Sequence, residues 1–176
     1  MDTPGIPQRL CILLVSIGLS ISPLTLLGDE PLRNPLFKIE RNTNANIIQY
    51  DAQIGMDGKL LKKTPVVAYW IRLAEQGQVK KLSWIQRVFA FGFDVDLDDS
   101  REGVELTMKV DLGESIRIIR EENQYRATVP IDGSPSYLEK VYVQASRKGL
   151  FVKVESIELF GKDMKTGEAR RQKFFP

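Results

Sequence analysis

Apolar and polar residues alternate through most of this chain. Asn46, Ile48, Tyr50, Ala52 and Ile54 share one parity, and Gln49, Asp51 and Gln53 take the other. Successive side chains of an extended strand point to opposite faces, so this pattern predicts a half-buried β-strand. Val104, Leu106, Met108 and Val110 alternate in the same way with Glu105, Thr107, Lys109 and Asp111. Phe37, Ile39 and Arg41 share one face of an earlier strand. Val66 to Leu73 is apolar at both parities, which predicts a central strand buried on both faces.

Turn signals separate these runs. Gly55-Met56-Asp57-Gly58 and Asp132-Gly133-Ser134-Pro135 hold residues that tolerate positive φ. Residues 115–120 and 124–131 form a predicted hairpin through Glu122-Asn123. Residues 138–145 and 150–160 form another through Arg147-Lys148-Gly149, and a last one turns at Lys165-Thr166-Gly167. Within 150–160 the parity switches between Val154 and Ile157, which predicts a bulge near Glu155-Ser156. One segment breaks the period of two. Ser83 can cap a short helix within Leu82 to Phe91, with Ile85, Val88 and Phe89 on one side and Gly92 ending it. Val88 to Val95 also reads as a strand, because β-branched and aromatic residues suit one. The expected fold is all-β: an antiparallel barrel or sandwich of about eight strands, with at most one short helix.

The N-terminus reads differently. Arg9 precedes the apolar run Leu10 to Leu19, Pro23 breaks it, and Asp29-Glu30-Pro31 turns polar. A charged head and an apolar stretch of about 7–15 residues describe an export signal. The expected organisation is a signal peptide over 1–28, a leader over 29–35 and one β domain over 36–176, exported to the periplasm or beyond. The alternative is an uncleaved anchor, but Leu10 to Leu27 barely reaches the ~20 residues of a span and is interrupted by Ser16, Ser20, Ser22 and Pro23. Once the signal is removed, no transmembrane helix is expected.

Composition then narrows the chemistry. The chain has no histidine, and its single cysteine, Cys11, lies inside the expected signal. Imidazole and thiol supply most general bases near neutral pH and most transition-metal ligands. No cofactor is expected, and no G-x-S-x-G, S-x-x-K or glycine-rich phosphate loop occurs. The net charge is only +2 and the basic residues are scattered, so no nucleic-acid footprint appears. The pairs Lys62-Lys63 and Lys80-Lys81 and the tail Arg170-Arg171-Gln172-Lys173 read as solvated surface.

Two candidate sites remain. Asp94, Asp96 and Asp98 fall at the first, third and fifth positions of an EF-hand-like spacing, with Glu105 at the twelfth. Asp99 occupies the position that needs glycine and Arg101 adds a positive charge, so the simpler reading turns Val95 and Leu97 inward and the aspartates to water. The other candidate is a set of charges at inward parity. Arg41 follows Phe37 and Ile39 on their face, and Arg72 follows Val66, Ala68 and Trp70 on theirs. A buried arginine needs a partner, for which Glu40, Asp51 and Asp94 are available, and its planar fork suits carboxylate or phosphate. The candidate ligand-binding cluster is Arg41, Asn46, Tyr69, Trp70, Arg72 and Arg87. Its plainer reading is a pair of strand-end arginines reaching water.

Three stretches together resemble an uncharacterised family of bacterial exported proteins filed as a domain of unknown function. They are Ile39-Glu40-Arg41-Asn42-Thr43-Asn44-Ala45-Asn46, then Val67-Ala68-Tyr69-Trp70-Ile71-Arg72, then Ile85-Gln86-Arg87-Val88-Phe89-Ala90-Phe91-Gly92. The resemblance spans about Leu36 to Phe160. It implies no activity, but places Arg41, Asn44, Asn46, Tyr69, Trp70, Arg72, Gln86 and Arg87 in the family's motifs, with Phe91 where tyrosine is expected. The leading expectation is a non-enzymatic exported protein that binds a small ligand, anionic or lipid-like, or a cell-envelope component. A protein-interaction or envelope-structural module is one alternative, and a carboxylate-dependent hydrolase is another.

Overall fold

The computed structural model describes residues 32–98, 103–148 and 151–176. The expected signal over 1–28, with Cys11, and the first residues of the expected leader lie outside the described residues. The described residues fall in one compact unit. The elements in chain order are β1 (Leu32–Arg41), β2 (Asn44–Ile54), β3 (Val66–Arg72), a 3-10 turn (Leu73–Glu75), β4 (Gln78–Lys81), α1 (Trp84–Phe89) and β5 (Phe93–Asp98). There follow β6 (Gly103–Met108), β7 (Ile116–Glu121), β8 (Gln124–Ile131), β9 (Ser134–Lys148), β10 (Phe151–Asp163) and β11 (Ala169–Phe174).

All eleven strands belong to one sheet, built around β9. Strand β10 runs antiparallel along one edge of β9, and β11 pairs with β10. The other edge of β9 is shared. Ser134 to Tyr137 pair antiparallel with β8, and Lys140 to Val143 pair parallel with Lys38 to Arg41 of β1. Two wings therefore leave the same edge: β1-β2-β3-β4 and β8-β7-β6-β5. The sheet curls into a half-barrel, and its end strands β4 and β5 do not pair with each other. The chain crosses from one end strand to the other through α1.

The core lies between the wings. Phe37, Ile39, Ile48, Tyr50 and Ala52 from one wing meet Leu106, Met108, Ile116, Ile118 and Val129 from the other, with Val141, Ile157 and Leu159 from the trunk. Each large apolar side chain so buried contributes about 1.5–3 kcal/mol. Phe37 stacks on Tyr50 at 4.5 Å between ring centroids. The fully buried Tyr50 hydroxyl donates to the Phe91 carbonyl at 2.8 Å, so its polar end is satisfied. Burial pushes that phenol's pKa well up, and it stays neutral. The wings are also tied by the Tyr125 N–H, which donates to Asn34 Oδ1 at 2.6 Å.

Bulges let one sheet serve two wings. The predicted bulge appears between Val154 and Ser156, opposite Ala145 and Gln144. A second falls at Glu139, because Phe160 pairs with Lys140 while Gly161 pairs with Leu138. It moves the buried set of β9 from Ser136 and Leu138 to Val141, Val143 and Ala145. Glycine is required beside it: a Cβ at Gly161 would sit 2.1 Å from the Tyr137 carbonyl oxygen.

The structure amends several expectations. There are eleven strands rather than about eight, in one curled sheet rather than a closed barrel or two stacked sheets. Strand β4 carries no alternation, since all four residues are exposed, and it is held by pairing with β3. Strand β1 begins at Leu32, so residues 32–35 of the expected leader pair with β2, and Pro35 sits beside a bulge where no ladder hydrogen is needed. Strand β3 buries Val66 and Trp70, but its opposite face is only half-buried. Val95 and Leu97 take the core-facing side of the sheet, beside their buried partners Leu106 and Val104, yet they stay exposed, because β5 is an end strand paired only with β6. The helix forms with Ser83 as N-cap, yet Ile85 and Val88 face outward.

Candidate functional site

A groove of about 600 Å³ opens between the end of the β1–β2 hairpin, β3, β4 and α1. Local sequence explains each wall. Asn44 accepts from the Asn46 N–H through its side chain at 3.1 Å, an Asx turn that starts β2. Ser83 and Gln86 form a capping box: the Gln86 N–H donates to Ser83 Oγ, and the Ser83 N–H donates to Gln86 Oε1 at 2.9 Å. That same Gln86 oxygen accepts the Trp70 indole N–H at 3.0 Å, which fastens α1 to β3. Gly92 closes the helix because the chain folds back so tightly that a Cβ there would lie 1.6 Å from the Arg87 carbonyl oxygen.

Arg41 lies in this groove between two rings. Its guanidinium carbon is 4.9 Å from the Trp70 ring centroid and 4.8 Å from that of Phe91, and the two rings meet edge to face. Arg41 Nε is buried without a hydrogen-bond partner, and among the described residues no carboxylate pairs with Arg41. Desolvation holds its pKa below the ordinary guanidinium value. Arg72, Lys80 and Lys81 add positive charge around the groove, where Glu75 takes an ion pair from Arg72 and a longer one from Lys80 at 3.7 Å. The site is a positively charged groove with an aromatic-flanked guanidinium and the amides of Asn44, Asn46 and Gln86 along its sides. Such a surface suits a planar or tetrahedral anion.

Of the six candidate residues, Arg41, Asn46, Trp70 and Arg72 come together here. Tyr69 and Arg87 do not. Tyr69 has the opposite parity to Trp70, and its hydroxyl donates to Asp51 Oδ2 at 2.6 Å with Arg33 over its ring. Burial and that carboxylate push its pKa up to about 12. Arg87 projects from the exposed side of α1. The expected carboxylate partners are all engaged elsewhere: Glu40 with Lys38 and Lys140, Asp51 with Tyr69 and Gln49, and Asp94 with Lys109. Burial alone would raise the Glu40 pKa, but its two lysines hold it below the usual range.

The acidic run does not converge. Asp94 and Asp96 share a face of β5, Asp96 stands opposite Glu105, and among the described residues no three metal-ligating side chains gather. The side chain of Asp98 and residues 99–102 lie outside the described set. Sequence reasoning missed Lys80 and Lys81, whose strand has no apolar signal. It also missed Asn42, whose side-chain amide donates to the Ala145 carbonyl and accepts the Ala145 N–H, both at 2.9 Å. That double bond extends the parallel β1–β9 pairing and fixes the backbone beside Arg41. A second groove of about 530 Å³, lined by Glu105, Glu114, Arg117 and Thr128 among others, contains none of the six ligand-binding candidates and mixes both charge signs.

The family model described as a domain of unknown function (DUF4833) matches residues 37–173. It therefore runs past the expected Phe160 limit and takes in most of β11. No curated protein and no solved structure matches the chain.

Proposed function

We propose that this chain, which belongs to the DUF4833 family, is an exported binding protein that holds a small anion in the Arg41 groove without transforming it. One observation carries this reading: Arg41 is half-buried between Trp70 and Phe91 with no carboxylate among the described residues, in an open groove where further cations gather. A structural arginine in such surroundings is ordinarily paired, since an uncompensated buried charge is destabilising by several kcal/mol. An incoming carboxylate or phosphate supplies the missing countercharge. The apolar run over residues 10–19 supports export, and the lack of histidine supports binding over catalysis.

Thermal melts against organic acids, phosphorylated metabolites, acidic sugars and lipid headgroups test the reading. One anionic class should raise the melting temperature. Arg72→Ala should weaken that class about tenfold, while costing less than about 0.5 kcal/mol of stability, because its ion pair with Glu75 is partly exposed. No shift with any anion would overturn the reading. A collapse of the Arg72→Ala melt would make Arg72 structural.

A further inference from the structure

The groove borders a surface with a different character. Trp84 and Ile85 each stand about one turn before Val88 on α1, and the three are 65%, 63% and 40% exposed. Val79 on the neighbouring β4 is 57% exposed. Residues at these spacings form one apolar stripe, while Gln86 turns the other way to hold Trp70. Around the stripe the chain is one-signed. From Gln76 to Phe93 it carries Lys80, Lys81 and Arg87 and no aspartate or glutamate. The flanking acids are both engaged: Asp94 with Lys109, and Glu75 with Arg72 and, at 3.7 Å, with Lys80, which leaves Lys81 and Arg87 as the less compensated cations. Exposed tryptophan and aliphatic residues ringed by cations fit the boundary between headgroups and acyl chains. Ile85 lies both on the stripe and on the groove wall, so the two surfaces are continuous.

We propose that α1 and β4 form a docking face for an anionic lipid bilayer, and that the anion taken by the groove is a lipid headgroup presented there. The second half rests on the anion-binding reading above, and the first half does not. Charge complementarity selects the occupant: a zwitterionic surface offers Lys80, Lys81 and Arg87 nothing that water does not. The apolar stripe then sits at the depth of the upper acyl chains, as interfacial helices do. Long lysine stems allow the charged ends to stay among the headgroups.

The chain has two tryptophans, Trp70 and Trp84, and Trp70 is buried, so Trp84 is a natural depth gauge. The full chain is mixed with phosphatidylcholine vesicles, with or without phosphatidylglycerol, whose acyl chains are brominated just below the headgroup. Trp84→Phe supplies the Trp70 background. Bromine should quench Trp84 about twofold or more when phosphatidylglycerol is present, and far less without it; Lys80→Gln with Lys81→Gln should remove the difference. Depth-resolved quenching reads the position of α1 however the N-terminus is attached. Absent quenching, or equal quenching on both vesicles, would overturn the docking face. Soluble glycerol phosphate separates the two ideas. If it raises the melting temperature while Trp84 stays unquenched, the groove binds a free anion and the bilayer inference falls alone.

Discussion

Arg41 and Arg171 both lie over aromatic rings, in opposite circumstances. Arg171 sits 5.4 Å from the Phe160 centroid and gives Glu158 two hydrogen bonds, at 2.5 and 2.9 Å, while Lys173 adds a third contact at 3.3 Å. Beside it, Arg170 bonds Asp163, whose other oxygen accepts the Lys165 and Thr166 N–H groups. On the β10–β11 hairpin every cation over a ring has its carboxylate at hand. Arg41 has the rings and, among the described residues, lacks the carboxylate. Arg170 Nε is buried without a hydrogen-bond partner just as Arg41 Nε is, so what separates the two regions is the paired carboxylate. An arginine marks a candidate site by what its surroundings leave unfinished.

The largest effect should come from the paired side. Gly161→Val puts a side chain into the Tyr137 carbonyl and the Ile131 methyl, and should destabilise by about 3 kcal/mol or more in urea unfolding. An unchanged midpoint would mean that the β9–β10 contact has slack. On the unpaired side, Arg41→Met should separate binding from folding. Removing a desolvated, unpaired charge should leave stability within about 1 kcal/mol of the parent, or above it. The anion response should fall tenfold or more. A steep loss of stability would erase the contrast between the two arginines.

The smallest effect concerns acid. Ion pairs and hydrogen bonds hold the Glu158 and Asp163 carboxyls below their ordinary values of 4.5 and 3.8. Their lowered folded-state pKa favours the charged form, so their contribution is complete above the ordinary values and fades as pH falls through the folded ones. Melting temperature should therefore decline below about pH 4.5, and Glu158→Gln should flatten part of that decline. Arg41 stays protonated throughout and adds no slope of its own. A decline left unchanged by Glu158→Gln would show that the β10–β11 network is not where acid acts.

What the sequence disclosed follows its local physics. Alternation over Asn46–Ile54 and 104–110 located β2 and β6, and the parity break at Val154–Ile157 located a bulge. Those signals are carried by neighbours in the chain. The branch at β9 is different, because it depends on which strands share one edge, and that choice involves residues far apart. Arg41 and Trp70 were legible from parity. Tyr69, next to Trp70 in sequence, has the opposite parity, and strand geometry places it on the other face with Asp51. Lys80 and Lys81 were indistinguishable from solvated surface, because an exposed end strand is held by backbone pairing and bears no apolar imprint.

The amide of Asn42 grips Ala145 across 103 residues of chain. A polypeptide emerges from the ribosome N-terminus first, at about 5–20 residues per second, so β1 waits roughly 5–20 s for the strand that completes it. Within that wait the remaining groove residues, up to Phe91, are made, while the β9-facing edge of β1 has nothing to hold it. Completion of this sheet thus waits on its latest-arriving third, and a chain truncated before β9 would hold the groove's residues on an unfinished scaffold.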